Sequence, residues 1–400
     1  MAEVPLRFLG LDVPETRTTI EVFFLRMSNL PTPHAQERPN AERIGNFDFL
    51  RLLFSLSVVY MHSVRLLDGD NHREFVQRIF GIEAAMGYGS GDLAVDGFLA
   101  MSGYFVAGTW RRSGGCLNYF RNRALRIYPA FVVASLLSQI ASIFASDRGM
   151  LAWLHEISLK TRVLELLFLA FPTAHFPFHA GALHAQDYPP VNAPLWVIAH
   201  EARCYILAAL VGIMGMKFGS KWWVRGWFLV LLGSLLLIAT GLEIPRFPGY
   251  SFVVGWQTYL LRYAACFATG ALFRSFQDRI LRLQWTIPVI VAMLAVCLAH
   301  EAWLPLAIPT ILAVSVLQIG TSPVMSHLLP RIPIDLSYGI FLYAWPVQIL
   351  LMHASPGIGL SLLCSISAVI AAGCSWVSLI FLERPFLRWR KGSPAPLRAP

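Results

Sequence analysis

Residues 49–67 read FLRLLFSLSVVYMHSVRLL, an apolar run of membrane-spanning length that carries Arg51, His62 and Arg65. Ionisable side chains inside a spanning helix are costly and tend to face a bundle interior, a partner or a substrate path. Arg51 and His62 are eleven residues apart, which places them on one helix face about 16 Å apart along the axis. This face therefore combines a cation with a deeper titratable base. The structural alternative is that Arg51 anchors the helix at the membrane surface and His62 is a hydrogen-bonded interior histidine.

Composition indicates the fold class. Of 400 residues, 56% are hydrophobic and 14% are charged, whereas about 25% of residues are charged in soluble domains. Several apolar runs reach the roughly 20 residues that a spanning helix needs. The net charge of +9 lies in short loops between these runs, a distribution that membrane topology explains without a nucleic-acid partner. We therefore predict an all-α, polytopic membrane protein.

The apolar runs predict about ten transmembrane helices. They fall near residues 49–67, 93–110, 127–145, 194–216, 227–242, 254–273, 285–300, 304–320, 335–353 and 359–382. If the N-terminus is cytoplasmic, the inner segments after the first span hold seventeen Lys and Arg residues and the outer loops hold six. This asymmetry predicts that both termini are cytoplasmic, by the positive-inside rule.

The two ends of the chain differ from the apolar middle. Residues 1–46 carry five prolines among charged residues, which predicts a loosely ordered cytoplasmic tail. Residues 47–389 form the predicted membrane-embedded domain, and residues 390–400 form a cytoplasmic C-terminal tail. The six cysteines make no C-x-x-C pair and fall mostly inside apolar runs, so they indicate neither a disulfide framework nor a metal site.

The long outer loop, 146–193, departs from the simple alternation of spans and short connections. Its apolar stretch Val163–Phe171 is too short to span, which favours an interfacial or re-entrant segment. The loop also holds four histidines: His155, His175, His179 and His184. The spacing of the last three suits a metal, but Pro177 interrupts any helix there and no cysteine or carboxylate lies between them. We therefore predict no metal site.

Four ionisable side chains are predicted at comparable depth below the outer surface: His62, Asp96, Glu201 and Arg262. Unpaired charges at that depth are expensive, so we expect these groups to meet one another. The structural alternative is an ion pair of Glu201 with Arg262 or Arg203 that locks the bundle.

A second polar group is predicted at the inner surface, in the stretch RNRALRIYPAF. Arg123 and Arg126 lie one turn apart at the predicted start of the third span. Such a pair suits phosphate recognition. Basic residues at an inner helix end also satisfy the positive-inside rule with no ligand.

Six segments resemble, in order and spacing, the motifs of the acyltransferase-3 family, the integral-membrane O-acetyltransferases that modify bacterial surface carbohydrates. They are FDFLRLLFSLSVVYMHS, VDGFLAMSGYFV, RNRALRIYPAF, PLWVIAHEARCYIL, LSYGIFLYAWPV and LERPF. The resemblance covers Phe47 to about Trp389. Two positions depart from the pattern: Ala344 stands where many members carry a histidine, and His200 stands where an acidic or small polar residue is more usual.

The resemblance implies an enzyme of the bacterial inner membrane. It would move an acyl group, expected to be acetyl, from cytoplasmic acyl-CoA to a hydroxyl of an extracytoplasmic or lipid-linked carbohydrate. The phosphates of acetyl-CoA would be held by three arginines: Arg51, Arg123 and Arg126. His62 would be the general base or would carry the acyl group transiently as nucleophile. Glu201 or Asp96 would orient the imidazole and stabilise its charged form.

Two other classes of protein stay open at the level of sequence. Broken apolar helices around a polar cavity also describe a transporter or lipid flippase, although the charged motifs show no inverted repeat between the two halves. In a structural subunit of a polysaccharide export system, the buried charges would be architectural. The sequence does not specify the acceptor sugar or the oligomeric state.

Overall fold

The computed structural model describes residues 45–69, 74–80, 88–144, 190–247, 250–280 and 304–386, together with positions 163, 166, 167, 169 and 291. Within these residues the chain consists of helices joined by turns, which confirms the predicted all-α class. The predicted tails lie outside the described residues, except that positions 45 and 46 already belong to the first helix. The histidines of the 146–193 loop also lie outside the described residues.

Nine long helices lie in the described part of the chain. They are α1 Gly45–Asp68, α2 Ser90–Trp110, α3 Cys116–Phe144, α4 Trp196–Phe218, α5 Ser220–Thr240, α6 Gln257–Ile280, α7 (the continuous segments Leu304–Ala307, Ile308–Leu312 and Ala313–Thr321), α8 Ser337–Ala354 and α9 Leu360–Ser378. A π-helical turn, Leu379–Glu383, continues α9. Each helix overlaps one of the predicted spans, and the remaining predicted span, 285–300, lies outside the described residues except at position 291.

Five helices are long and apolar enough to cross a membrane: α1, α3, α4, α5 and α9. Of these, α5 and α9 are the least enclosed, with 22% of their apolar windows buried. In contrast, α2 and α8 bury most of their residues among other helices. The five apolar helices are those of a membrane protein, while the total of ten spans stays a prediction.

The third span begins earlier than predicted. Helix α3 starts at Cys116, directly after Gly114 and Gly115, whose φ angles of 66° and 155° end the preceding turn. Arg123 and Arg126 are therefore seven and ten residues inside the helix, about 10 and 15 Å from its first residue. Their predicted position at the helix start was wrong, because hydropathy marks the apolar core of a span and misses a polar first third that is still helical.

Helices α2 and α6 make the closest pair of the bundle. At Gly103 of α2 a Cβ atom would collide with the carbonyl of Phe267, and at Gly270 of α6 it would collide with the carbonyl of Ala100. Small residues at such points let two helix backbones approach, as they commonly do in membranes. This close packing fixes α2, which supplies Asp96, Ser102 and Thr109 to the contacts described below.

Candidate active site

Arg51 is held between two carboxylates. Its Nη1 donates to Asp48 Oδ1 at 3.0 Å and to Asp335 Oδ2 at 3.4 Å, and its guanidinium lies 4.8 Å from the ring centroid of Phe105. Asp335 also accepts hydrogen bonds from the backbone N–H and the hydroxyl of Ser337, at the start of α8. Arg51 therefore links α1 to the beginning of α8.

Arg126 lies between several helices, yet its side chain is solvent-exposed. The carboxylates that act on it electrostatically come from three different segments: Glu201 of α4, Asp335 before α8 and Glu383 after α9. Arg51 also lies within electrostatic range of Arg126. Arg126 therefore has protein charges on several sides while its side chain stays accessible to solvent.

Arg123, one turn before Arg126, has different surroundings. Its Nη2 donates to Thr109 Oγ1 at 3.4 Å, and its guanidinium lies 5.5 Å from the ring centroid of Tyr205. Its Nε is buried and has no hydrogen-bond partner among the described residues. We call Arg51, Arg123 and Arg126 the arginine cluster.

Glu201 lies beside the arginine cluster. Its Oε1 accepts hydrogen bonds from Ser102 Oγ at 3.0 Å and from the Tyr205 hydroxyl at 2.5 Å. The Ser102 and Tyr205 hydroxyls are themselves 3.1 Å apart, and Tyr205 carries Arg123 over its ring. Glu201 thus supports the aromatic ring on which an arginine of the cluster rests.

Asp96 forms a buried ion pair with Arg262. Arg262 Nε donates to both Asp96 oxygens, at 2.9 and 2.8 Å, and Arg262 Nη2 also contacts the carboxylate. Asp96 is fully buried, Arg262 is 5% exposed, and the guanidinium lies 4.3 Å from the ring centroid of Tyr88. Of the four groups that we expected to meet, Asp96 and Arg262 do so. The structural alternative, an ion pair of Glu201 with Arg262, is wrong, because Asp96 holds that guanidinium.

His62 packs against α8. Its ring centroid is 5.0 Å from that of Trp345 in an edge-to-face arrangement. Its Nδ1 is buried and has no hydrogen-bond partner within the described part of the chain. On the same face of α8, Gln348 Nε2 donates to the Val59 carbonyl at 2.8 Å and to Ser63 Oγ at 2.7 Å, which ties α8 to α1 on both sides of His62.

The segment before α4 also reaches this site. Trp345 Nε1 donates to the Pro190 carbonyl at 2.8 Å. Asn192 is fully buried, and its Nδ2 donates to Ser138 Oγ at 3.0 Å and to the Leu342 carbonyl at 2.9 Å. The end of the long 146–193 loop therefore enters the bundle and fixes the tryptophan that contacts His62.

Arg51 and His62 mark two levels along α1. They are eleven residues apart, which corresponds to about 16 Å along the helix axis. Arg51 contacts Asp335, just before α8, and His62 contacts Trp345 on α8. Among the described contacts, neither carboxylate joins His62: Asp96 binds Arg262, and Glu201 binds Ser102 and Tyr205. The expected meeting of all four outer groups was therefore wrong.

Several residues of the site were not anticipated from the sequence: Ser102, Tyr205, Asp335, Trp345 and Gln348. Glu201 and Tyr205 are four residues apart on α4, a spacing that places both on one helix face and could have indicated the contact. The other contacts join residues that are distant in sequence, so no local sequence pattern predicts them. Among the described residues no group of three or more His, Cys, Asp or Glu side chains could hold a metal ion.

Comparison with known proteins identifies the family of the chain. The family model of the acyltransferase domain, acyltransferase-3, matches residues 44–382. An O-acetyl transferase of Shigella phage Sf6 is 27% identical over 345 residues, which cover 85% of this chain and 95% of the relative. Nodulation protein 10 of Rhizobium leguminosarum bv. viciae is 23% identical, with 86% of this chain and 94% of the relative covered.

No solved structure matches the chain. The family match includes α1 with Arg51 and His62, the part of α3 that carries the other two arginines, and Glu201 on α4. The chain therefore belongs to the acyltransferase-3 family, and it is an acyltransferase enzyme.

Proposed function

We propose that this protein transfers an acyl group, acetyl in the first instance, from cytoplasmic acyl-CoA to a hydroxyl of an extracytoplasmic or lipid-linked carbohydrate. The observation that carries the proposal is a pair of levels in the bundle: the arginine cluster with its solvent-accessible Arg126, and His62, which lies about 16 Å beyond Arg51 along the axis of α1. A donor bound through its phosphates at the first level would present its thioester toward the second. The similarity to an O-acetyl transferase supports acetyl as the transferred group.

The proposed setting is the bacterial inner membrane, with ten spans and both termini in the cytoplasm. The distribution of Lys and Arg over the loops supports this orientation. It puts the C-terminal end of α2 and the N-terminal end of α3 on the cytoplasmic side, so the arginine cluster is reached from the donor's compartment. His62 then lies toward the outer side, where the acceptor arrives.

Acyl-CoA is a substrate here, and the side chains of the cluster fit its anionic part. Arg126 is solvent-exposed inside the bundle and Arg123 offers an unpartnered buried Nε. Guanidinium groups bind phosphate oxygens through paired, charge-assisted hydrogen bonds. Glu201 does not act on His62 in this proposal. It holds Tyr205 and thereby positions Arg123.

His62 takes the proton of the acceptor hydroxyl as that oxygen attacks the thioester carbonyl, and the coenzyme leaves as its thiol. The alternative is transient acylation of the imidazole, followed by transfer to the acceptor. In either route the contact with Trp345 and the cross-links from Gln348 restrict where the imidazole can lie. Such positioning of a base is worth several orders of magnitude in rate when the geometry is right.

The direct test is acetylation of a cell-envelope glycan from labelled acetyl-CoA in membranes with and without the gene. The proposal expects label in a carbohydrate fraction only when the chain is present. A transporter or a structural export subunit would give equal labelling in both membranes after the glycan itself is supplied. Labelled glycan identified by mass spectrometry would also name the acceptor sugar.

A further inference from the structure

Arg274 of α6 lies beside the C-terminal end of α2 and was not anticipated as a site residue. Its Nη1 donates to the Tyr104 hydroxyl at 2.8 Å and to Gln277 Oε1 at 3.1 Å, and its guanidinium lies 5.0 Å from the ring centroid of Tyr104. One turn further along α2, a Cβ atom at Gly108 would sit 3.4 Å from Arg274 Nε. The guanidinium therefore runs along the last two turns of α2 and is half-buried there.

Arg123 contacts the same end of α2 on a neighbouring face of the helix. It donates to Thr109, the residue after Gly108, and Thr109 is the penultimate residue of the helix. Successive helix positions are about 100° apart around the axis. The last turn of α2 is thus flanked by two guanidinium groups, Arg123 from α3 and Arg274 from α6.

The two arginines share a further property: both are held by neutral groups. Their contacts are hydroxyls, an amide oxygen and tyrosine rings. Within the described residues neither has a carboxylate at ion-pair distance, whereas Arg51 and Arg262 do. A partly buried charge that its own protein leaves uncompensated is costly, and a bound counter-ion removes that cost.

We infer that Arg274 and Arg123 together form a phosphate-binding site at the end of α2, and that the site takes a phosphate group of the acyl-CoA donor. This inference rests on the proposed function and adds Arg274 to the donor site. Guanidinium groups match phosphate oxygens in geometry as well as charge. Under the proposed topology the end of α2 faces the cytoplasm, from which the donor enters, and Arg126 lies deeper on the same helix as Arg123.

The test is a calorimetric titration of CoA into the full-length protein in neutral detergent, for wild type and for Arg274→Gln. Glutamine keeps a hydrogen-bonding amide near Tyr104 and removes the charge. Loss of a charge-assisted contact should weaken CoA binding about ten- to a hundredfold. The matched control is Lys217→Gln, which removes an exposed cation from the last turn of α4 and should change the affinity less than about twofold.

A second donor separates phosphate binding from general damage to the fold. Acetyl-pantetheine keeps the thioester and lacks the nucleotide phosphates, so Arg274→Gln should use it at the wild-type rate. Equal losses with both donors would overturn the inference in favour of a structural role. If wild type itself binds no CoA, the proposed donor is wrong, whichever result Arg274→Gln gives.

Anionic lipid is the other source of a phosphate group at this depth. Native mass spectrometry of the same preparations would count retained anionic lipids. Unchanged CoA affinity of Arg274→Gln, together with loss of a retained lipid, would assign the arginine pair to a lipid headgroup and overturn the donor site. Weaker CoA binding with unchanged lipid retention supports it.

Discussion

His62 is the residue on which the proposed chemistry depends. A base or acyl carrier cannot be replaced by glutamine, which keeps hydrogen bonding but cannot accept the proton. His62→Gln should therefore lower turnover with acyl-CoA about 10²- to 10⁴-fold while donor binding and folding persist. The control is His353→Gln, an exposed histidine in the last turn of α8, which should keep full turnover. More than about a tenth of wild-type turnover in folded His62→Gln would exclude the base role.

Arg51 tests whether the cluster needs a guanidinium or only a positive charge. A lysine offers a point charge and cannot contact Asp335 and a phosphate through one planar fork. We expect Arg51→Lys to raise the KM for acyl-CoA about tenfold, as loss of one charge-assisted hydrogen bond would. Arg65→Lys changes an exposed arginine on the same helix and should leave KM unaltered. Wild-type kinetics in Arg51→Lys would mean that Arg51 only anchors its helix and does not bind the donor.

Asp96 is expected to affect folding before catalysis. Asp96→Asn leaves the Arg262 charge buried without its carboxylate, which costs about 3–5 kcal/mol. The measurable result is a lower thermal unfolding midpoint and less monodisperse protein in detergent. The double variant Asp96→Asn, Arg262→Gln removes both charges and should recover much of the loss. If Asp96→Asn folds normally but loses turnover, Asp96 has a catalytic role instead.

At the scale of helices, hydropathy predicts which segments are membrane helices better than where they begin. The apolar cores of nine described helices follow from the sequence, but the polar first third of α3 does not register as a span. That third carries Arg123 and Arg126, so the depth of the cluster was misjudged with it. Which side chains pair with each other is still harder to predict from the sequence. Asp96 and Arg262 are 166 residues apart, and only the packing of α2 on α6 determines that they meet.

The α2–α6 contact itself can be tested at Gly270. A Cβ atom there would press on the carbonyl of Ala100, and overpacking of this kind costs about 1–3 kcal/mol. Gly270→Ala should therefore lower the unfolding midpoint. The control, Gly233→Ala on α5, places its Cβ where nothing lies within 4 Å and should be neutral or slightly stabilising because alanine favours helix. Equal midpoints for the two variants would mean that the helices are not this close.

At the scale of the whole molecule, the bundle places Arg51 and the imidazole of His62 at different levels along α1. The end of the 146–193 loop enters the bundle and holds Trp345 against His62, so the outer loop and the imidazole form one unit. The sequence motifs identify the residues of both levels. The grouping of Glu201 with the arginines, apart from His62, emerges only from the packing of the helices.

The central claim, that donor and acceptor are used from opposite faces of the membrane, is tested most directly with sealed vesicles of defined orientation. Labelled acetyl-CoA is added outside inverted vesicles, which expose the cytoplasmic face, and outside right-side-out vesicles. The account predicts chain-dependent labelling of glycan enclosed in the inverted vesicles and none in the right-side-out ones, with His62→Gln inactive in both. Labelling confined to right-side-out vesicles would contradict it.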